Sequence, residues 1–135
     1  MDMLLKGLSR TIAKKRDGTI INEVRNLLIT DPAQRDINMD LYALNVQRAR
    51  DNGLEKFNYM RMAYGFPALK SFTELTGEAE RAKLLEDFYK DVNQVDPWVG
   101  ILNEKSVEDG VLGEVGGKIV AHNFNMLRNG DRFWY

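Results

Sequence analysis

Apolar residues recur along this chain at helical intervals and nowhere in a sustained period of two. In MDMLLKGLSRTIAKK they fall at Met1, Leu4, Leu5, Leu8 and Ile12, a stripe that Gly7 weakens and that reads as made to pack on something. After the turn signal Asp17-Gly18, the positions Ile20, Ile21, Val24, Leu27 and Leu28 predict a second helix ending before Asp31-Pro32. A polar connection, DPAQRDINM, leads to a short helix between Asp40 and Gly53. Phe57, Met60 and Tyr64 then form a stripe that Gly65 closes, with Arg61 beside it, able to lay its stem along the stripe and reach water or an acid. Pro67 breaks the chain and SFTELTG reads as a short helical turn. Leu84, Leu85, Phe88 and Tyr89 predict a helix from Glu78 to about Lys90. Asp96-Pro97 opens another, which Gly100 and KSVEDG interrupt. Leu112, Val115, Ile119, His122 and Met126 mark a last helix from about Val111 to Arg128, stopped by Asn129-Gly130. The expected class is all-α, with residues 1–135 belonging to one domain.

The segment DLYALNVQRARDNG departs from a plain amphipathic pattern. Asp40 is placed to cap its first turn and Gly53 to end it in a left-handed conformation. Leu41, Leu44, Asn45 and Arg48 share one stripe, so two aliphatic residues keep company with an amide and a guanidinium. A buried amide needs a hydrogen bond and an inward guanidinium needs an anion, so a core-facing stripe of this kind implies a polar partner.

Composition narrows the chemistry. Nineteen basic and twenty acidic residues leave a net charge of −1, with neither sign gathered into a block, which gives no footprint for nucleic acid. No apolar run approaches the roughly 20 residues of a membrane span, and the first residues are too short in apolar length for a signal peptide. The absence of cysteine excludes thiolate metal sites and cysteine nucleophiles and leaves the compartment undetermined. His122 is the single histidine, so a mechanism needing two imidazoles cannot be built from this chain alone.

The stretch DLYALNVQRARDNGLEKFNYMR resembles the DLxALNxQRxRDHGxxxYNxxR signature of the animal-type haem peroxidases, the myeloperoxidase and lactoperoxidase group. LLKGL, TIINEVRNLL, YGFP, VDPWVGILNE and LRNGDRFWY resemble further segments of that family in the same order, so the resemblance covers nearly the whole chain. It implies a helical fold, haem in the complete enzyme with calcium as a further candidate, and hydrogen-peroxide-driven oxidation of halides, phenols or similar small donors. Asn45 matches the asparagine that supports the proximal histidine, and Arg48 the arginine beside a haem propionate. The family's proximal histidine, distal histidine, distal arginine and calcium-binding acid belong to segments N-terminal to those matched here. The chain therefore resembles the proximal-side, C-terminal portion of the domain, with no catalytic residue and no metal ligand of its own. Its expected partner is the remainder of the domain or a partner subunit. Asn52 stands where the signature has histidine.

Each of these residues also has a plainer reading. Asn45 alone would be a helix-surface or capping amide, and Arg48 a solvated arginine paired with Asp51. His122, on an apolar stripe, reads as a core histidine bonded to a backbone carbonyl. Trp98 and the Phe133-Trp134-Tyr135 cluster read as packing residues, Asp40, Asp96 and Asp131 as caps or turn residues, and Glu104 to Asp109 as a solvated loop. A non-catalytic helical module that binds no haem is the alternative function.

Overall fold

The computed structural model describes residues 2–13, 16–27, 30–31 and 34–134. Met1, Lys15, Leu28, Pro32 and Tyr135, which entered the sequence reading, lie outside the described residues. Seven α-helices carry the described fold: α1 (Asp2–Arg10), α2 (Leu41–Asp51), α3 (Phe57–Ala63), α4 (Phe72–Thr76), α5 (Ala79–Tyr89), α6 (Pro97–Asn103) and α7 (Glu114–Gly130). The all-helical expectation holds for this body. The predicted second helix does not form: a single π-helical turn, Glu23–Leu27, stands in its place. Of the described residues on its apolar face, Ile21 is exposed and Ile20 and Val24 are only half-buried outside the core cluster, and a short helix is marginal without fuller packing. Beyond it lies a small antiparallel pairing of β1 (Thr30–Asp31) with β2 (Gln34–Asn38), Thr30 opposite Asn38, that the hydrophobic pattern did not indicate.

The core is built from Phe57, Phe72, Leu75, Ala82, Val92, Val95, Val99 and Val115, contributed by α3 to α7 and the short 3₁₀ turn Val92–Gln94. α6 crosses α3 at Gly100, where an added Cβ would sit 2.1 Å from Phe57 Cγ. Gly100 therefore permits a close helix crossing and, contrary to the sequence expectation, does not interrupt α6. α4 is capped by the Ser71 hydroxyl, which accepts from the Glu74 N–H, and closed by Gly77 at φ +69°.

Arg16 ties the N-terminal segment to this body. Its guanidinium donates to the carbonyls of Ile101 (2.8 Å) and Leu102 (2.6 Å) in the last turn of α6, and to that of Val111 (2.9 Å). These carbonyls include ones that a helix end leaves without intrahelical partners, so the cation is well placed. α1, on the far side of this anchor, buries none of its residues. α7 buries Val115 and Gly116 and leaves every residue from Val120 to Trp134 exposed.

Candidate functional site

α2 has the termini that its sequence predicts. Asp40 Oδ1 accepts from the backbone N–H groups of Tyr42 (2.8 Å) and Ala43 (3.1 Å). At the other end Gly53, at φ +66°, donates to the Arg50 carbonyl and Leu54 donates to that of Ala49, a paired closure that satisfies two orphan carbonyls. What packs on the core is Tyr42, Val46 and Ala49. The stripe singled out from sequence lies on another side of the helix: Leu41, Leu44 and Asn45 are half-buried and Arg48 is exposed. The expectation of a core-facing stripe with an internal polar partner is thus corrected, because the helix turns its smaller and aromatic residues inward. Among the described residues neither the Asn45 amide nor the Arg48 guanidinium has a side-chain hydrogen bond, and Asp51 receives Gln47 Nε2 (2.7 Å) in place of Arg48. The structure brings Asn45 and Arg48 together on one open stripe flanked by leucines.

The opposite side of α2 is held by a buried carboxylate. Asp96, 1% exposed, sits at the N-cap position of α6 but makes no capping bond, contrary to its reading as a helix cap. Its Oδ1 accepts from Arg50 Nε (3.1 Å) and Lys56 Nζ (2.8 Å), and its Oδ2 from Arg50 Nη2 (2.6 Å) and Tyr89 Oη (3.0 Å). Burial alone would raise the carboxyl's pKa, but the hydrogen bonds from Arg50, Lys56 and Tyr89 outweigh it and bring it down to about 2. Tyr89 is pushed upward, first by burial and then by its bond to the charged carboxylate.

A second buried cluster lies under α7. Arg61, 4% exposed, donates to Glu104 Oε1 (2.5 Å), to Glu114 Oε2 (2.7 Å) and to the Pro67 carbonyl (3.0 Å), and its guanidinium covers the Phe66 ring. Glu104, which the sequence placed in a solvated loop, is equally buried and also accepts from the Val115 N–H (3.1 Å). Burial pushes its carboxyl upward against the pull of Arg61. Asn58 completes the polar interior, exchanging hydrogen bonds with the Leu69 backbone at 2.9 Å in both directions and donating to Asn93. Sequence reasoning foresaw that Arg61 could reach an acid, as it does, but not its burial, and gave Glu104 and Asn58 no such roles. The one available signal was the YNxxR part of the signature, matched by Asn58 and Arg61 at an i, i+3 spacing.

His122 lies on the exposed part of α7, not in the core. Trp98 does pack, its ring meeting Tyr42 edge-on at 6.5 Å, while its buried Nε1 has no partner among the described residues. Phe133 and Trp134 are exposed, so their packing reading fails among the described residues, whereas Asp131 does act as a turn residue, accepting from the Phe133 N–H. An open cavity of about 730 Å³ between α2 and α5 is lined by Tyr42, Val46, Arg50, Leu85 and Phe88, and gathers neither Asn45 nor Arg48. No group of three His, Asp or Glu side chains suited to a metal ion occurs among the described residues, and no described helix is long and apolar enough to cross a membrane.

Comparison with known proteins places this geometry in a family. Residues 1–135 match the family described as animal haem peroxidase. The chain is similar to peroxinectin A of Dictyostelium discoideum, with 31% identity over 135 residues, all of this chain and 25% of that protein. It is similar to myeloperoxidase of Mus musculus, with 34% identity over 140 aligned positions, all of this chain and 19% of that protein. Among solved structures, peroxidase A of Dictyostelium discoideum superposes with a TM-score of 0.76 at 33% identity, over 86% of this chain and 22% of that one. A fatty acid alpha-dioxygenase of Oryza sativa gives a TM-score of 0.67 at 27% identity, over 74% and 16%. The chain thus spans a quarter or less of the length of these relatives.

Proposed function

The chain belongs to the animal haem peroxidase family, a family of oxidoreductases, and from that membership we propose that it forms the proximal-side support of a haem peroxidase. The observation that carries this reading is the open stripe of α2, where Asn45 and Arg48 match the family signature and have no partner among the described residues. The donor set fits the edge of a haem: leucines for the macrocycle, a guanidinium for a propionate and an amide oxygen for an imidazole N–H. It does not fit the iron itself, since the one imidazole, His122, lies elsewhere on α7.

Haem, when bound, supplies the iron at which hydrogen peroxide is reduced and small donors such as halides or phenols are oxidised. In this reading Asn45 Oδ1 accepts from the Nδ1–H of a proximal imidazole contributed from outside these residues, fixing the ring and raising its basicity. Arg48 offers the paired N–H groups that hold a carboxylate. The remainder of a peroxidase domain, or a partner subunit, completes the site and provides the groups that move peroxide protons. Calcium, which the family resemblance also implies for the complete enzyme, is assigned to no residue of this chain.

Titration with ferric haem in the presence of free imidazole tests the reading, the imidazole standing in for the proximal ligand. A sharp Soret band is expected, with Asn45→Ala and Arg48→Ala each weakening binding about tenfold, as loss of a supporting group around a metal ligand does. No sharp band even with imidazole would favour the second reading, a helical module that binds no haem, and sharp-band binding indifferent to both substitutions would remove Asn45 and Arg48 from the haem face. A sharp band that needs no imidazole and disappears in His122→Ala would overturn the assignment in another way, by showing that the chain ligates iron itself. Without imidazole, the expected band is broad and unchanged by His122→Ala.

A further inference from the structure

We infer that Asp96 is a positioning residue for the Asn45 and Arg48 face: it fixes the rotation of α2 about its own axis by binding Arg50 from behind. The inference rests on the reading of that face given above. Arg50 follows Arg48 by two residues and Asn45 by five, which places it about 200° and 140° around the helix from them. The guanidinium meets the carboxylate through Nε and Nη2, an approach with two parallel hydrogen bonds that sets orientation as well as distance.

The same carboxylate accepts from Lys56 at the start of α3 and Tyr89 at the end of α5, and it stands at the start of α6. One buried group therefore joins α2 to three other helices, and its acceptor sites are filled by four donors. The remaining hold on α2 is weaker in direction. Tyr42, Val46 and Ala49 pack apolar surface, which resists separation more than rotation.

Small rotations matter at the far side of the helix. A side-chain atom lies about 5–6 Å from the helix axis, so a turn of about 15° carries the Asn45 oxygen about 1.5 Å, beyond the roughly 0.5 Å tolerance of a preorganised site. Asp96 touches nothing on that face and acts through Arg50 and α2.

Asp96→Asn, read against Asn45→Ala and against Glu104→Gln in the other buried cluster, tests this in the full chain. Amide hydrogen exchange in residues 41–51 is expected to quicken at least tenfold relative to α4, and binding of ferric haem with free imidazole to weaken about tenfold. In an Asn45→Ala background Asp96→Asn should cause no further loss of binding, because both act on one hydrogen bond. The midpoint potential of the imidazole-bound haem should shift in the same direction in Asp96→Asn as in Asn45→Ala, and stay in place in Glu104→Gln. Tyr89→Phe, which keeps both ion pairs, should give the same pattern at smaller amplitude and carries the test if Asp96→Asn does not fold. The inference is overturned if α2 exchange stays unchanged, if the two losses add, or if Glu104→Gln moves the potential equally. Should Asn45→Ala leave haem binding intact while α2 exchange still quickens in Asp96→Asn, the haem reading fails and Asp96 keeps only its anchoring contact.

Discussion

The main hydrophobic core cluster lies between Phe57 and Val115, with Ala49 of α2 buried outside that span, whereas apolar side chains of the same kinds stand exposed on either side of it. Leu75 is fully buried on the five-residue α4, while Leu8 is 70% exposed on the nine-residue α1 and Phe124 68% exposed on the seventeen-residue α7. Helix length and amphipathicity do not separate the two regions. Polar closure does: the central region is laced by Asp96, Arg61, Asn58 and Arg16, side chains whose hydrogen bonds join segments distant in sequence. An amphipathic stripe predicts a helix, but only a second surface turns that helix into core.

The largest blow to the central region should come from Arg61→Ala. It would leave the Glu104 carboxylate buried with its cation gone, a defect that costs about 3–5 kcal/mol. Urea unfolding should show that loss, and Glu104→Gln added to Arg61→Ala should recover part of it by removing the stranded charge. An Arg61→Ala chain as stable as the native one would mean that water already reaches this cluster.

A smaller effect, readable by pH, belongs to Asp96. Its folded pKa of about 2 lies below the ordinary 3.8, so its contribution is complete well above pH 4 and disappears as pH falls towards 2. The shift corresponds to roughly 2 kcal/mol. Glu104 runs the other way: its pKa is raised, so its contribution is present at low pH and lost as pH climbs through the ordinary carboxylate range. The stability difference between the native chain and Asp96→Asn isolates the first of these, and should shrink from roughly 2 kcal/mol at pH 6 towards zero at pH 2. A pH-independent difference would remove Asp96 from the ionic ties of the central region.

The sequence makes part of this contrast legible. Local chemistry was readable: the Asp40 cap, the Gly53 closure and the Pro97 start all act within a few residues of chain. The Asn45 and Arg48 pairing needed the family signature, because a single stripe with an amide and a guanidinium does not say which way the helix faces. The ties of Asp96 to Arg50 and of Arg61 to Glu104 span 46 and 43 residues, and no local pattern announces a partner at that distance. The Ile20 to Leu28 stripe and the His122 position misled for one reason. Both were read as faces against a core, and among the described residues none of Ile20, Ile21, Val24 and His122 joins it.

The smallest expected effects test the other side of the contrast. Leu8→Ser in α1 and Phe124→Ser in α7 each remove an apolar side chain that is already in water, so transfer free energy offers almost nothing to lose. Each should change unfolding free energy by no more than about 0.5 kcal/mol, against the 2–5 kcal/mol that truncating a buried leucine such as Leu75 costs. Serine lowers helix propensity only slightly, and neither substitution removes a side-chain hydrogen bond or ion pair. A loss above about 1 kcal/mol from either one would mean that its helix packs against a surface in solution, since burial of a side chain of this size stabilises by about 1.5–3 kcal/mol. That outcome would dissolve the boundary between the regions, whereas two near-neutral results would leave both apolar faces in water, outside the central fold.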